Sequence, residues 1–273
     1  MLLQRILTAV PLAIGIIWII LFQPSQVFFW LTMVITAVAA FEWAKLAGLK
    51  ISGQLAYLLI MCAIPWVILT HAGHYVQVYI YAGVLWWLAV CFYLFKAQPA
   101  KASGAVSTSK LAAGILVIPA AMLAMNTIHR QVDGPEWLMY GLMLVWVADI
   151  GAYFSGKRFG KTKLAPAISP GKTREGLYGA VASVSVYTVI AAYYFGLDIS
   201  NAGYLLLLAV VLTLVSVAGD LYESILKREH GVKDSGTILP GHGGMLDRID
   251  SVLAAMPVFM AGRELLLQPV FSL

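Results

Sequence analysis

Long apolar segments separated by short polar ones run along the whole chain. Each is close in length to the ~20 mostly apolar residues that a helix needs to cross a bilayer. In lipid a helix satisfies all of its own backbone hydrogen bonds, whereas a membrane barrel shows short segments of alternating polarity. The pattern therefore predicts an all-α, polytopic integral membrane protein with about nine transmembrane helices, at residues 6–22, 27–44, 55–70, 76–95, 111–128, 137–154, 177–195, 204–225 and 246–266.

The composition excludes a soluble protein. Of the 273 residues, 61% are hydrophobic and 11% are charged, whereas soluble domains contain about 25% charged residues. We expect one membrane domain, residues 1–273, with N-terminal helices in 1–110 and the polar chemistry in 111–273. The first apolar segment lacks a small-residue cleavage site, so a retained helix is expected rather than a signal peptide. Cys62 and Cys91 lie inside apolar segments and are expected to be buried thiols, not a disulfide or a metal pair.

Lysine and arginine residues are distributed unevenly between the connections. With nine spans, one side of the membrane receives only Arg130 and Arg263. The other side receives Arg5, Lys45, Lys50, Lys96, Lys101, Lys110, Lys157, Arg158, Lys161, Lys163, Lys172, Arg174, Lys227, Arg228 and Lys233. Because basic residues concentrate in the cytoplasm, this asymmetry predicts a cytoplasmic N-terminus and places the loops 155–176 and 227–245 on the cytoplasmic face. Arg5 and Glu42, charges at or within the first two spans, could pair with each other, and such a pair would most simply be structural.

The stretch 220–250 combines carboxylates, basic side chains, histidines and glycines within an otherwise apolar sequence. Asp220 follows a long apolar run, and an ionised carboxylate there is unfavourable unless it is paired or bound to a cation. On a continuing helix Asp220, Ser224 and Lys227 share one face. The spacing fits either a metal and phosphate site or an internal salt bridge from Asp220 to Lys227 or to another helix.

Two further carboxylates lie at the start of the last predicted span. Asp247 and Asp250 are three residues apart and therefore share a helix face. Acidic residues also favour a helix N-terminus on electrostatic grounds alone, and a salt bridge to Arg248 is the structural alternative. Mg²⁺ prefers oxygen ligands and binds one or two carboxylates together with substrate phosphates. We therefore predict a Mg²⁺ site formed by Asp220, Asp247 and Asp250.

The segment between these carboxylates is basic and rich in glycine. Gly243 and Gly244 allow a close backbone approach, and N–H groups that lead into a helix form an anion cradle. His242 lies beside them and is by itself a weak indicator of chemistry. Positive charge for phosphate groups comes from Lys227, Arg228, Lys233 and Arg248.

A second polar stretch covers residues 149–176. Asp149 lies near the end of an apolar span, four residues before Tyr153 on the same helix face, and an ionisable group at that depth is a functional candidate. Lys161 either binds a substrate or acts only as a charge that sets the membrane topology and contacts the lipid surface. A rigid turn with hydroxyl and ammonium donors, which suits a nucleotide phosphate, is predicted at Ser169, Pro170, Lys172 and Thr173.

A P-loop is excluded in this second stretch. Walker A requires four residues between its first glycine and the Gly-Lys-[Ser/Thr] group. Only three separate Gly156 from Gly160-Lys161-Thr162, and Pro166 stands where Gly171-Lys172-Thr173 would need a glycine.

Together these residues resemble a known family signature. It comprises Ser224-x-Leu226-Lys227-Arg228, Lys233-Asp234-x-Gly236 and Leu239-Pro240-x-His242-Gly243-Gly244-Met245-x-Asp247-Arg248-Ile249-Asp250. The pattern resembles that of the phosphatidate cytidylyltransferase (CDP-diacylglycerol synthase) family, and the stretch 149–176 is similar to that family as well. The resemblance covers the C-terminal half well, whereas the first four spans match only in their apolar character, an early arginine and a Glu-Trp pair.

The resemblance implies an activity that composition alone does not give. Phosphatidate and CTP would yield CDP-diacylglycerol and pyrophosphate, with Mg²⁺ required and a second, monovalent cation such as K⁺ suggested. The expected partners are CTP, phosphatidate and membrane lipid, with a homodimer and no nucleic acid. The expected location is the bacterial inner membrane, with the active site on the cytoplasmic side. Catalytic roles fall to Asp220, Lys227, Arg228, Lys233, Asp247, Arg248 and Asp250, and substrate binding to Asp149, Tyr153, Lys161, Ser169, Pro170, Lys172, Thr173, Ser224, His242, Gly243 and Gly244.

Two other functions compete with this interpretation. A transporter would place charged groups in broken helices near the bilayer midplane, whereas here the charges gather at one face. Another CTP-using lipid enzyme, such as a polyprenol kinase, would release CDP rather than pyrophosphate.

Overall fold

The computed structural model describes residues 2–94, 96–99, 105–238 and 243–267. Within these ranges the chain forms nine α-helices: α1 Leu2–Phe22, α2 Ser25–Leu46, α3 Ile51–His71, α4 Val76–Leu94, α5 Thr108–His129, α6 Gly134–Phe159, α7 Arg174–Tyr194, α8 Ile199–His230 and α9 Leu246–Leu267. A short 3₁₀ helix, Gly73–Tyr75, precedes α4, and two strands, β1 Lys163–Ala165 and β2 Ser169–Thr173, lie between α6 and α7. Each α-helix overlies one predicted span.

The helices confirm an all-α polytopic membrane protein. Seven of them, α2 to α8, are long and apolar enough to cross a bilayer. Helix α1 contributes a shorter apolar helical segment, at residues 13–22, and α9 carries charged residues at both ends. A count of nine crossings and a cytoplasmic N-terminus stay predictions.

Helix α9 forms the centre of the bundle, which explains how a span with low hydropathy is accommodated. It packs against α8, α5 and α4, and its middle residues Ala255, Met256 and Phe259 are completely buried. The Trp87 indole on α4 donates a hydrogen bond to the Leu253 carbonyl at 3.0 Å. Since protein rather than lipid surrounds α9, its polar ends contact other side chains.

Helices α6 and α7 cross at close range. A Cβ atom at Gly151 would overlap Ser183, and one at Gly179 would overlap Ser155. Small residues at both positions let the two backbones approach each other, as is common between membrane helices. The Ser155 hydroxyl donates to the Glu175 carbonyl at 2.7 Å, which ties the end of α6 to the start of α7.

The connection between α6 and α7 folds into a small antiparallel hairpin. Lys163 pairs with Thr173 and Ala165 with Ser169, with an irregular register between them. The Thr173 hydroxyl caps α7 by accepting from the Gly176 N–H at 3.1 Å. Residues 169–173 are therefore a strand and a helix cap rather than the rigid turn that the sequence suggested, because their backbone groups pair with β1.

The polar ends of the helices meet at one end of the bundle. The Trp43 indole of α2 donates to the Lys110 carbonyl of α5 at 2.8 Å, and the Lys110 ammonium contacts the Glu229 carboxylate of α8 at 3.0 Å. Helix α8 continues to His230, beyond the predicted 225, because its polar last turns find such partners. This end is the one that the charge pattern assigns to the cytoplasm.

Candidate active site

A cavity of about 460 Å³ opens between α6, α7, α8 and the hairpin. Its size lies in the range of small-molecule sites, roughly 300–1,000 Å³. One part of its wall is apolar and includes Leu164, Leu177 and Val217. The other part is polar and includes Asp149, Tyr153, Lys157, Lys172, Thr173 and Asp220. Such a wall suits an amphipathic lipid or a nucleotide with charged phosphates.

Asp220 and Lys172 form an ion pair in this cavity. The Lys172 ammonium lies 2.6 Å from the Asp220 carboxylate, and both side chains keep partial access to solvent. Asp220 also accepts a longer hydrogen bond, 3.4 Å, from the Ser224 hydroxyl one turn along α8. The expected partner of Asp220 is thus found on the hairpin rather than at Lys227.

Several other carboxylates surround Asp220. Asp149 on α6 has Lys172, Asp220 and Arg248 as its electrostatic neighbours. Asp250 on α9 has Asp220 and Glu223 as its own. Like charges at such close quarters repel one another unless a cation or a proton offsets them. The cluster is therefore electrostatically suited to cations.

A second, closed polar cluster lies beside the cavity. The Lys227 ammonium contacts the Glu223 carboxylate at 2.8 Å and the Asp247 carboxylate at 2.6 Å. The other Asp247 oxygen accepts from the Ser235 N–H at 2.9 Å, the Ser235 hydroxyl at 3.0 Å and the Gly244 N–H at 2.8 Å. Lys227, Glu223 and Ser235 are all buried. Apart from one Glu223 oxygen, these groups pair with one another, and their burial leaves little access for a substrate.

Glu42 belongs to this closed cluster. Its carboxylate accepts from the N–H groups of Met245 and Leu246 at the start of α9. One of its oxygens also lies 3.0 Å from the Ser235 hydroxyl, whose one proton is shared between Glu42 and Asp247. The described partners of this carboxylate lie on α9 and its preceding loop, and the suggested pairing with Arg5 stays a prediction. The side chain of Arg5 lies outside what the structure describes.

The remaining predicted basic residues lie at the surface of the same end of the bundle. Arg228, Lys233 and Arg248 are exposed. The Lys161 side chain is exposed too, and its backbone N–H donates to the Glu175 carboxylate at 3.1 Å. The Lys157 ammonium, which the sequence analysis left unassigned, lies 5.6 Å from the centre of the Tyr153 ring at the cavity wall.

The predicted substrate-binding residues of β2 and of the loop before α9 lie in different places. Thr173 lines the cavity together with Lys172, whereas Ser169 and Pro170 lie farther along β2 and are not part of its wall. Gly243 has a φ of +82°, and a Cβ atom there would overlap the Asp247 carboxylate, so the loop reaches α9 through a left-handed glycine. His242 lies outside the described residues.

Sequence reasoning missed Glu223, Ser235 and Glu175 as members of the polar network. Glu223 carried a readable signal, because it lies four residues before Lys227 and such pairs face each other on a helix. Ser235 and Glu175 carried none, because the partners of Ser235 lie on α2 and α9 and those of Glu175 lie between α6 and β1.

The donor set fits one Mg²⁺ ion shared with a ligand. The described residues contain no group of three His, Cys, Asp or Glu side chains that could hold a metal ion alone. Mg²⁺ commonly takes only one or two carboxylates and completes its shell with phosphates and water. One buried oxygen of Glu223 has no hydrogen-bond partner, and the electrostatic neighbours of Asp250 are Glu223 and Asp220.

Comparisons with known proteins cover almost the entire chain. Residues 3–266 match the model of the cytidylyltransferase family. The chain is 37% identical over 266 residues to a phosphatidate cytidylyltransferase of Pseudomonas aeruginosa, a match that covers 96% of both proteins. It is 37% identical over 286 residues to one of Haemophilus influenzae, covering 95% of this chain and 97% of the relative. A Bacillus subtilis relative of the same name is 48% identical over 130 residues, 47% of this chain and 48% of its own.

Proposed function

The chain belongs to the cytidylyltransferase family, and we infer that it transfers the cytidylyl group of CTP to phosphatidate, giving CDP-diacylglycerol and pyrophosphate. The observation that carries this inference is the match to phosphatidate cytidylyltransferases over 95% or more of the chain. The cavity with one apolar and one charged wall supports it, because both substrates are anionic and one of them is a lipid.

The reaction needs charge neutralisation more than proton transfer. A phosphate oxygen of phosphatidate attacks the α-phosphorus of CTP, a new P–O bond forms, and the bond to the bridging oxygen breaks as pyrophosphate leaves. The attacking phosphate is already ionised at neutral pH, so no strong general base is required. The protein has to hold two anions in line and offset their charge, which is the main route of catalysis for such transfers.

Lys172 is placed to bind a substrate phosphate from the cavity wall. Its ammonium pairs with Asp220, and a phosphate entering the cavity would compete with that carboxylate. Lys157 and Thr173 line the same space. Arg228, Lys233 and Arg248 at the surface would lower the cost of bringing two anions to this end of the protein.

We further propose that Asp220 and Asp250 hold Mg²⁺, as the acidic cluster supports. Bound Mg²⁺ would supply a positive charge that offsets the triphosphate and the leaving pyrophosphate. Asp247, the third predicted ligand, suits this role less well, because both of its oxygens already accept hydrogen bonds. A second, monovalent cation stays an expectation from the family resemblance.

We propose a multi-pass protein of a bacterial inner membrane with its polar end in the cytoplasm, where CTP is present. The exposed lysines and arginines at that end support this orientation. A homodimer is proposed from the family resemblance, and no nucleic-acid partner is expected.

The test is to incubate the purified protein with CTP, Mg²⁺ and phosphatidate and to identify both products. CDP-diacylglycerol with equimolar pyrophosphate is the expected outcome, and chelation of the metal by EDTA should abolish it. Release of CDP with a phosphorylated lipid would indicate a lipid kinase instead. Uptake of a labelled solute into proteoliposomes without CTP turnover would indicate a transporter.

A further inference from the structure

We propose that Glu42 on α2 is a positioning residue for the transfer reaction. Its carboxylate fixes the start of α9 and the segment 232–238, and through α9 the placement of Asp250, which we propose as a Mg²⁺ ligand. This inference rests on the proposed function, and it assigns a role in the site to α2, none of whose described residues line the cavity.

The contacts of Glu42 all reach one place. The side chain is 3% exposed. One oxygen accepts from the Met245 N–H at 3.1 Å, and the other accepts from the Leu246 N–H at 2.9 Å and lies 3.0 Å from the Ser235 hydroxyl oxygen. The first N–H groups of a helix have no partner within the helix, and the helix dipole favours a negative charge beside them. Glu42 thus caps α9 from a different helix.

Two glycines make room for this carboxylate. A Cβ atom at Gly236 or at Gly244 would overlap the Glu42 carboxyl group. Both glycines belong to the polar stretch between α8 and α9, and both lie within a few residues of predicted catalytic side chains. The loop is therefore folded around Glu42, and its path depends on that group.

Ser235 connects Glu42 to the closed cluster. Its hydroxyl lies 3.0 Å from a Glu42 oxygen and 3.0 Å from an Asp247 oxygen, and it is 1% exposed. Asp247 in turn contacts Lys227 on α8. A continuous set of buried polar contacts thus joins α2, the loop, α9 and α8. Removal of one member leaves the others buried and unpaired, which is costly.

The position of Glu42 separates it from the residues that touch substrate. It does not line the cavity, and it is buried behind the start of α9. Its effect on the reaction must therefore pass through the backbone that it holds. A shift of about 1 Å in a reacting group costs roughly a hundredfold in rate, so a loosened α9 start should lower kcat rather than substrate affinity.

The test is Glu42→Gln, which keeps the size of the side chain and removes its charge. We expect kcat per folded molecule to fall about 10- to 100-fold, while the apparent KM values for CTP and phosphatidate stay within about threefold. Amide hydrogen exchange in residues 232–238 should become faster. The matched control is Glu264→Gln at the other end of α9, a residue that contacts the Tyr81 hydroxyl at 3.3 Å and should leave turnover unchanged.

A second variant keeps the test decisive if Glu42→Gln fails to fold. Ser235→Ala removes only the side-chain link from Glu42 to Asp247 and should lower kcat in the same way. The double variant with Glu42→Gln should lose less activation free energy than the sum of the two single losses. A kcat within about threefold of wild type for Ser235→Ala, or for folded Glu42→Gln, would overturn the inference. Wild-type protein without cytidylyl transfer would instead overturn the proposed function.

Discussion

The cavity and the closed cluster lie side by side at the polar end of the bundle, yet their charges are arranged differently. In the cavity, Asp220 and Lys172 face open space and hold each other by one ion pair. In the closed cluster, Lys227 and Asp247 are engaged by buried partners on several sides. Side chains that face the cavity can exchange their partners for a substrate, whereas buried side chains with several protein partners determine where the backbone lies. We therefore assign substrate binding and chemistry to the cavity, and positioning of the backbone to the closed cluster.

The largest effect on turnover is expected from Asp220→Asn in the cavity. The change removes a carboxylate that we assign to Mg²⁺. It also breaks the ion pair with Lys172, but that pair is partly exposed, and such pairs contribute little to stability. We expect kcat to fall about a hundredfold or more with an unchanged Tm in detergent. Asp198→Asn, at the start of α8, is the matched control. Turnover of Asp220→Asn within about threefold of wild type would remove Asp220 from the chemistry.

The largest effect on stability is expected from Lys227→Met in the closed cluster. The substitution leaves the carboxylates of Glu223 and Asp247 buried without their cation, and breaking a buried pair in this way costs about 3–5 kcal/mol. The yield of folded protein and its Tm should both fall. Lys96→Met removes an exposed lysine and serves as the control. A Tm equal to that of the control would show that the closed cluster does not hold the fold together.

A smaller effect, confined to binding, is expected from Lys172→Gln. An ammonium that binds a substrate phosphate contributes to affinity, so the apparent KM for CTP or phosphatidate should rise about tenfold. Steady-state kinetics with each substrate varied in turn would show which one Lys172 binds. Lys163→Gln, on β1 and exposed, is the control. A fall in kcat with unchanged KM values would contradict a simple binding role.

The smallest effect is expected far from both regions, at Asp198. Its carboxylate caps α8 by accepting from the Asn201 N–H at 2.8 Å, and this bond and the Ser200 hydroxyl lower its pKa. Asp198→Ala should lower the Tm by about 2 °C at neutral pH without affecting turnover. Since the folded pKa lies below the value of about 3.9 in the unfolded chain, the stabilisation is complete above that value and is lost as the pH falls through the folded pKa. Equal Tm values at neutral pH would exclude the cap.

The fold could be predicted closely from the sequence, because apolar length is the dominant signal for a helix in a membrane. Helix α9 shows why the signal works even for a weakly apolar span, since its charges lie at its ends and its middle is apolar. The hairpin before α7 was missed, because its pairing depends on contacts of Glu175 with Lys161 and Thr162 that the order of residues does not reveal.

The candidate site could be predicted in its residues but not in their grouping. Asp220, Asp247 and Asp250 stand out as carboxylates at membrane helix ends, and the sequence suggests that they act together. The structure brings Asp220 and Asp250 together and surrounds Asp247 with Lys227, Ser235 and Gly244. The spacing of residues along a helix predicts which of them share a face, but it does not predict which residues of other helices they contact.

The central claim, that the cavity binds the substrates, is tested most directly by protection of an introduced thiol. Ala152 lines the cavity and can be replaced by cysteine after Cys62 and Cys91 are changed to alanine. We expect maleimide labelling of Ala152→Cys to slow about tenfold or more with saturating CTP, Mg²⁺ and phosphatidate. Bound substrates would block the thiol, so that only the small unoccupied fraction reacts. Labelling of Ser200→Cys at the opposite end should be unchanged. An unchanged labelling rate at Ala152→Cys in a protein that still turns over would contradict the account.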